Sequence, residues 1–236
     1  MTNGIDGTIV AVTGGFGSLG QVTAHMLAER GARVALIDRG AAPDAGTLPA
    51  PLADACLLGG VDLAEPQAAQ QAIDTIASRY GKLDALVNVA GAFRWETVAD
   101  GHVDTWDLMF AVNVKTALNA SKAAIRHLVA TGSGRIVNIS AGAALKAGAG
   151  MGAYSASKAG VARLTEALAE ELKDRGVTVN AILPSIIDTK QNRADMPDAD
   201  FSRWVTPAQI GAVIAFLLSQ DSQAITGALI PVSGRV

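Results

Sequence analysis

Seven short apolar runs in this chain carry hydrophobic side chains at consecutive positions instead of alternate ones. They are TIVAVT (8–13), RVALID (33–38), ACLLGGVD (55–62), LDALVNVAG (83–91), RIVNIS (135–140), VTVNAIL (177–183) and ALIPV (228–232). Successive strand residues point to opposite faces, so runs of this kind form strands that must be covered on both sides. The stretches between them have helical spacing. LGQVTAHMLAERG follows the first run, and PQAAQQAIDTIASRYG (66–81) sets Ala69, Ile73 and Ile76 on one face. Further helices are expected over 103–130, 152–174 and 206–220, the last with Pro207 in its first turn. The segment 40–54 holds three prolines and no helical period, and reads as an irregular loop. Strands alternating with helices give a parallel sheet covered on both faces. With right-handed crossovers the expected α/β architecture is a doubly wound Rossmann-type fold, a single domain over residues 1–236.

Composition narrows the partners. The 236 residues are 50% hydrophobic and 17% charged, enough for one full core and poor material for disorder. Net charge is −3 and no basic run or basic–aromatic cluster occurs, which argues against nucleic acid. No apolar stretch reaches the ~18–20 residues needed to span a bilayer. The first residues lack a positive segment followed by a cleavable apolar run. The lone Cys56 permits no intrachain disulfide. A cytoplasmic protein free of the membrane is expected. His25, His102 and His127 are far apart in sequence, so no metal is expected.

The first strand and helix are joined by TGGFGSLG (13–20), where Gly15, Gly17 and Gly20 match G-x-G-x-x-G. Glycines there allow a sharp turn and close approach of backbone to a pyrophosphate, which the helix N-terminus then attracts. Gly14, Gly15, Phe16, Gly17, Ser18, Leu19 and Gly20 are therefore candidate cofactor contacts. The second strand ends at Asp38, eighteen residues past Gly20. A carboxylate at that place accepts from both ribose hydroxyls of NAD(H) and repels a 2′-phosphate. NAD(H) is the expected cofactor. NADP(H) is the alternative, because Arg39 is positioned to compensate that phosphate. Farther on, YSASK (154–158) puts Tyr154 and Lys158 four apart, on one helix face. An ammonium beside a phenol favours the phenolate, so a lowered Tyr154 pKa and a proton-transfer role are expected.

With these motifs the chain resembles the short-chain dehydrogenase/reductase family over nearly its whole length. NVAG (88–91) is similar to the family's N-N-A-G motif with Val89 in place of the second Asn, implying cofactor contacts at Asn88, Ala90 and Gly91. Asp62, with Leu63 beside it, matches the acid that contacts adenine. Asn113 in FAVNVK matches an asparagine that anchors a water linked to the lysine. LPSIIDT (183–189) resembles the segment that holds the nicotinamide carboxamide through Pro184, Ile187 and Thr189, with Ser185 replacing a glycine. The resemblance implies hydride transfer between nicotinamide and a small carbonyl or alcohol, Tyr154 exchanging the proton and Lys158 binding the nicotinamide ribose.

Two departures matter. Ser18 breaks the family's common T-G-x-x-x-G-x-G pattern, although Thr13, Gly14, Gly17 and Gly20 match the variant T-G-x-x-G-x-x-G. The family's serine stands thirteen positions before the tyrosine, and here that position is Ala141. Its neighbour Ser140 points to the opposite face of a regular strand and becomes catalytic only if a bulge or early strand exit re-aims it. Otherwise its hydroxyl is bonded to nearby backbone. The segments 141–158 and 188–204 resemble the dihydropteridine reductase branch, which also lacks the serine. An NADH-dependent quinonoid dihydropteridine reductase is therefore an alternative reading, and a non-catalytic dinucleotide-binding sensor or scaffold is another. Residues 188–204, with Met196, Phe201 and Trp204, are expected as a loop covering a small-molecule substrate. Apolar and small residues on more than one face of 103–130 and 152–174 suggest a homodimer or homotetramer.

Overall fold

The computed structural model describes residues 4–236. Its strands are β1 (Ile9–Thr13), β2 (Arg33–Ile37), β3 (Cys56–Leu58), β4 (Ala85–Asn88), β5 (Gly134–Ile139), β6 (Val177–Pro184) and β7 (Leu229–Val232). They form one sheet in the order β3-β2-β1-β4-β5-β6-β7, every pairing parallel. The helices are α1 (Ser18–Glu29), α2 (Pro66–Tyr80), α3 (Val103–Met109), α4 (Thr116–Ala130), α5 (Gly152–Leu172), α6 (Lys190–Asp195) and α7 (Pro207–Leu218). This is the doubly wound Rossmann-type arrangement.

Burial accounts for the continuous apolar runs. On β1, Ile9 and Ala11 face a core shared with Ile73 of α2, Leu128 of α4 and Leu172 of α5. Val10 and Val12 face the opposite core, shared with Leu27 of α1 and Ile210 and Ile214 of α7. At roughly 1.5–3 kcal/mol for each large apolar side chain fully buried, this two-sided covering is the main drive to the layered fold. After β3 the chain crosses back and adds β4 on the far side of β1. Crevices for ligands open at such a reversal, beyond the carboxyl ends of the strands. Register sets Thr13, Asn88 and Asn138 side by side at that end of β1, β4 and β5.

Several boundaries differ from the sequence expectation. The third strand keeps only Cys56–Leu58, because Gly60 N–H and Val61 N–H bond to the carbonyls of Gly40 and Asp38 and turn the chain away. The fourth stops at Asn88, since Ala90 N–H donates to the Thr13 hydroxyl (3.1 Å). The last turn expected for the 152–174 helix is a 3₁₀ turn, Lys173–Arg175. Residues 103–130 are not uniformly α-helical: Phe110–Lys115 is a π-helical turn between α3 and α4. Residues 188–204, expected as a loop, contain α6 and a 3₁₀ turn at Phe201–Arg203. No helix among the described residues is long and apolar enough to cross a membrane.

Candidate active site

One large cavity, about 1060 Å³, opens at the carboxyl end of the sheet. One end of it is shaped by the glycine loop. Gly14 has φ +62°, and a Cβ there would lie 2.8 Å from Ala90 N. A Cβ on Gly20 would lie 2.1 Å from the Gly14 carbonyl oxygen, so both must be glycine for the loop to fold onto β4 and α1. Gly17 is different: a Cβ there would meet only the Gly14 carbonyl, at 3.4 Å. Gly17 is also the N-cap of α1 and gives the helix no side-chain cap, so the first N–H groups stay available beside the cavity. An uncapped helix start over a bare backbone suits a pyrophosphate.

Asp38 lines the same end. Its carboxylate accepts from Phe16 N–H (3.0 Å) and Gly40 N–H (2.9 Å), which fixes it at the end of β2 with lone pairs to spare. Arg39 and Asp62 line the cavity too; Asp62 accepts from Ala64 N–H (2.9 Å). The donor and acceptor set fits a nicotinamide dinucleotide: uncapped N–H groups for phosphates, and a fixed acid for a ribose.

Tyr154 and Lys158 occupy the first turns of α5, and both line the cavity. Phe93 meets the Tyr154 ring edge to face, with centroids 4.9 Å apart. The Lys158 ammonium lies 6.0 Å from that ring's centroid and donates to the Ile139 carbonyl (2.9 Å). The expected lowering of the Tyr154 pKa is not found. Burial pushes the phenol up to about 12 and pushes Lys158 down to about 8. Desolvation opposes charge on each group and outweighs their mutual influence.

Ser140 and Ala141 are both buried and both line the cavity. The Ser140 hydroxyl donates its one proton to the backbone carbonyl of Lys158 (2.8 Å). β5 ends at Ile139, one residue before the expected strand end, so Ser140 lies just past the strand, and Ala141 after it is extended (φ −161°, ψ 157°). To serve a reacting oxygen as donor, Ser140 would first have to break its bond to α5. Asn113, in the π-helical turn, is buried behind the cavity and not in its wall. Its amide donates to the Ala92 carbonyl and the Ser157 hydroxyl (3.0 Å each), and its oxygen accepts from Ala92 N–H (3.0 Å). It thereby ties the β4 loop to α5.

Three expected cofactor contacts, Asn88, Gly15 and Phe16, also lie outside the wall. The Asn88 amide points into the core and donates to Ser121 (3.0 Å) and Asn138 (2.8 Å). Gly15 packs on Leu36, and Phe16 is partly buried against the α1/α7 core. Gly14, Gly17, Ser18, Leu19, Gly20, Leu63, Ala90, Gly91, Pro184, Ile187 and Thr189 do line the cavity. The sequence reading omitted Phe93, Trp95, Lys146, Met151 and Asn192, which also line it. Phe93 and Trp95 carry a usable signal, since two large aromatics follow Gly91 within four residues in a stretch with no strand or helix period. Within 188–204, Arg193 pairs with both oxygens of Asp188 (2.5 and 2.8 Å) and lies over the Phe201 ring, while Trp204 is buried. This bracing leaves Asn192, Asp195 and Met196 toward the cavity.

Comparison with known proteins places the chain among similar sequences and structures. Residues 8–200 match the family model for short chain dehydrogenases. The chain is 30% identical over 241 residues to a 3-oxoacyl-[acyl-carrier-protein] reductase, FabG, of Vibrio cholerae, covering 98% of this chain and 97% of that protein. Among solved structures it superposes on an NAD⁺-bound xylitol dehydrogenase with TM-score 0.86 and 28% identity, covering 98% and 99% of the two chains. A carveol dehydrogenase of Mycobacterium avium in complex with NAD gives TM-score 0.84 at 27% identity, covering 98% of each chain.

Proposed function

We propose an activity on the premise that the chain belongs to the short chain dehydrogenase family and is an NAD(P)-dependent oxidoreductase. The reaction is hydride transfer between NAD(H) and a small carbonyl or alcohol, with Tyr154 exchanging the proton. The observation that carries this reading is Tyr154 and Lys158 sharing one cavity with the glycine loop and Asp38. The Asp38 carboxylate is fixed by two backbone N–H groups and so favours a ribose diol over a 2′-phosphate.

When bound, NAD(H) supplies or accepts the hydride. The residues of this chain do the rest. Gly14, Gly17, Ser18, Leu19 and Gly20 cradle the pyrophosphate, and Asp62, Leu63, Ala90 and Gly91 border the adenosine side. Pro184, Ile187 and Thr189 border the nicotinamide. Tyr154, with its pKa near 12, holds its proton at neutral pH and can give it to a substrate oxygen during reduction. Lys158, with its pKa near 8, is still charged at pH 7 and offsets the phenolate left behind. One of its N–H groups is held by the Ile139 carbonyl, and the others serve a ribose hydroxyl. Asn113 holds the β4 loop and α5 at a constant separation. Ser140 braces Lys158 through the backbone and donates nothing to the substrate.

The braced segment 188–204 covers a small-molecule substrate through Asn192 and Met196. The exposed apolar residues Trp106 of α3, Phe110 of the π-helical turn and Leu118 of α4 form a face for a second copy of the chain in a homodimer or homotetramer. The test is steady-state NADH oxidation with a panel of carbonyls, quinones and quinonoid dihydropterin, on the native protein and on Tyr154→Phe. NADH binding without turnover of any compound, unchanged by the substitution, would point to the sensor or scaffold reading.

A further inference from the structure

The substrate end of the cavity is poor in free hydrogen-bonding groups. Phe93, Trp95, Ala141, Met151, Ile186 and Met196 supply its wall around Tyr154. Three polar side chains beside them each give a donor proton to backbone. Ser140 donates to the Lys158 carbonyl, Ser185 donates to the Ser233 carbonyl (2.7 Å), and the Asn192 amide donates to the Ile187 carbonyl (2.8 Å). Lys146 and Asp195 are exposed residues at the rim.

Trp95 is held in a specific way. Its indole N–H donates to the Ala149 carbonyl (3.0 Å), and its ring lies against Gly150, where a Cβ would come within 2.1 Å of the indole. Gly150 also has φ +72°, and its carbonyl accepts from Glu96 N–H (2.8 Å). The polar edge of the indole is thus used up on backbone. Yet Trp95 is 60% exposed and Phe93 is 56% exposed, both beside the cavity. Two anchored aromatic rings left open at a cavity mouth are a ready apolar surface for a ligand.

From these observations, and resting on the oxidoreductase reading above, we propose that the substrate is an apolar cyclic ketone or alcohol whose single oxygen meets Tyr154 and whose ring packs on Trp95. Polyols and other multiply hydroxylated carbonyls are disfavoured, because most of their further hydroxyls would meet the apolar side chains of Phe93, Trp95, Met151, Ile186 and Met196 and find few partners there. An apolar pocket discriminates against one added hydroxyl by about a hundredfold.

The test is a matched pair, 4-tert-butylcyclohexanone and 4-hydroxycyclohexanone, reduced with NADH, with xylulose and quinonoid dihydropterin as polar comparisons. The expected result is kcat/KM at least about a hundredfold higher for the tert-butyl ketone than for the hydroxy ketone. Trp95→Ala should lower the apolar ketone's kcat/KM about tenfold or more, chiefly through KM, with the NADH dissociation constant unchanged. Met196→Gln should narrow the preference within the pair. A second readout needs no turnover. Calorimetric titration of the NADH complex with 4-tert-butylcyclohexanol or xylitol pairs two reduced partners, so only binding is measured. Tight binding of the cyclohexanol that Trp95→Ala abolishes, without reduction of any ketone, would uphold the pocket assignment while removing the proposed catalysis. Equal or better turnover of the hydroxylated compounds or the dihydropterin would overturn the assignment and leave the catalysis standing. Absence of cyclohexanol binding would overturn it as well.

Discussion

Replacing Lys158 with methionine should stabilise the protein while destroying its function. Lys158 is 5% exposed, and burial lowers its pKa from 10.5 to about 8. At about 1.4 kcal/mol per pKa unit, a charged Lys158 costs the folded state about 3 kcal/mol near neutral pH. Lys158→Met keeps an unbranched stem of similar length and removes the charge. It also removes the hydrogen bond to the Ile139 carbonyl, a loss of about 1 kcal/mol. The net gain is about 2 kcal/mol, or roughly 4–8 °C in Tm for a chain of this size. The pH dependence distinguishes this cause from better packing. Because the pKa falls on folding, the unfolded chain binds the extra proton between pH 8 and 10.5, and native stability rises with pH across that window. The advantage of Lys158→Met should therefore be full at pH 7, shrink as pH passes 8, and be gone before pH 10.5. Urea denaturation of both proteins at one protein concentration, repeated at several pH values, measures it. A variant less stable than the native protein at pH 7, or a difference that stays constant to pH 10, would refute the desolvation argument.

Asp38→Ala should weaken NADH binding and relieve the penalty on NADPH, read by fluorescence titration; equal affinities for the two cofactors in the native protein would remove Asp38 as the selector. Tyr154→Phe should lower kcat by ~10²–10⁴ with cofactor affinity nearly unchanged, as expected for a lost proton donor, and full activity in single-turnover assays would contradict the mechanism. Ser140→Ala should lower kcat/KM by less than about threefold, under ~1 kcal/mol of transition-state stabilisation, since its hydroxyl bonds to the Lys158 carbonyl. A hundredfold loss with fold and cofactor affinity intact would make Ser140 a donor to the substrate. Light scattering at micromolar concentration should give the mass of a dimer or tetramer, and Trp106→Asp should shift it toward the monomer; a native monomer would leave the exposed α3–α4 face without the proposed partner.

The features legible from residue order alone are those produced by local rules. Consecutive apolar residues in β1 and β2 announce strands covered on both sides, and the glycine spacing of 14–20 announces a turn that backbone must approach closely. Asp38 was readable because a strand's end fixes where its last side chain goes, and Tyr154 with Lys158 because a helix repeats every 3.6 residues. Other properties depend on neighbours brought in from elsewhere. Asn88 sits in the anticipated motif, but pairing of β4 with β5 sets it beside Asn138, and its amide turns inward to Ser121 and Asn138. The π-helical turn at 110–115 has no compositional mark; its Asn113 is bonded to Ala92 and Ser157, which come from two different segments. A phenol beside an ammonium looks acidic in a linear sequence. In the fold, burial of both groups outweighs their attraction and moves each pKa toward its neutral form. The partner of Ser140 is likewise a tertiary matter: only the packing of α5 against β5 brings a backbone carbonyl of Lys158 to the Ser140 hydroxyl, and no local pattern encodes a contact between two elements that far apart in the chain.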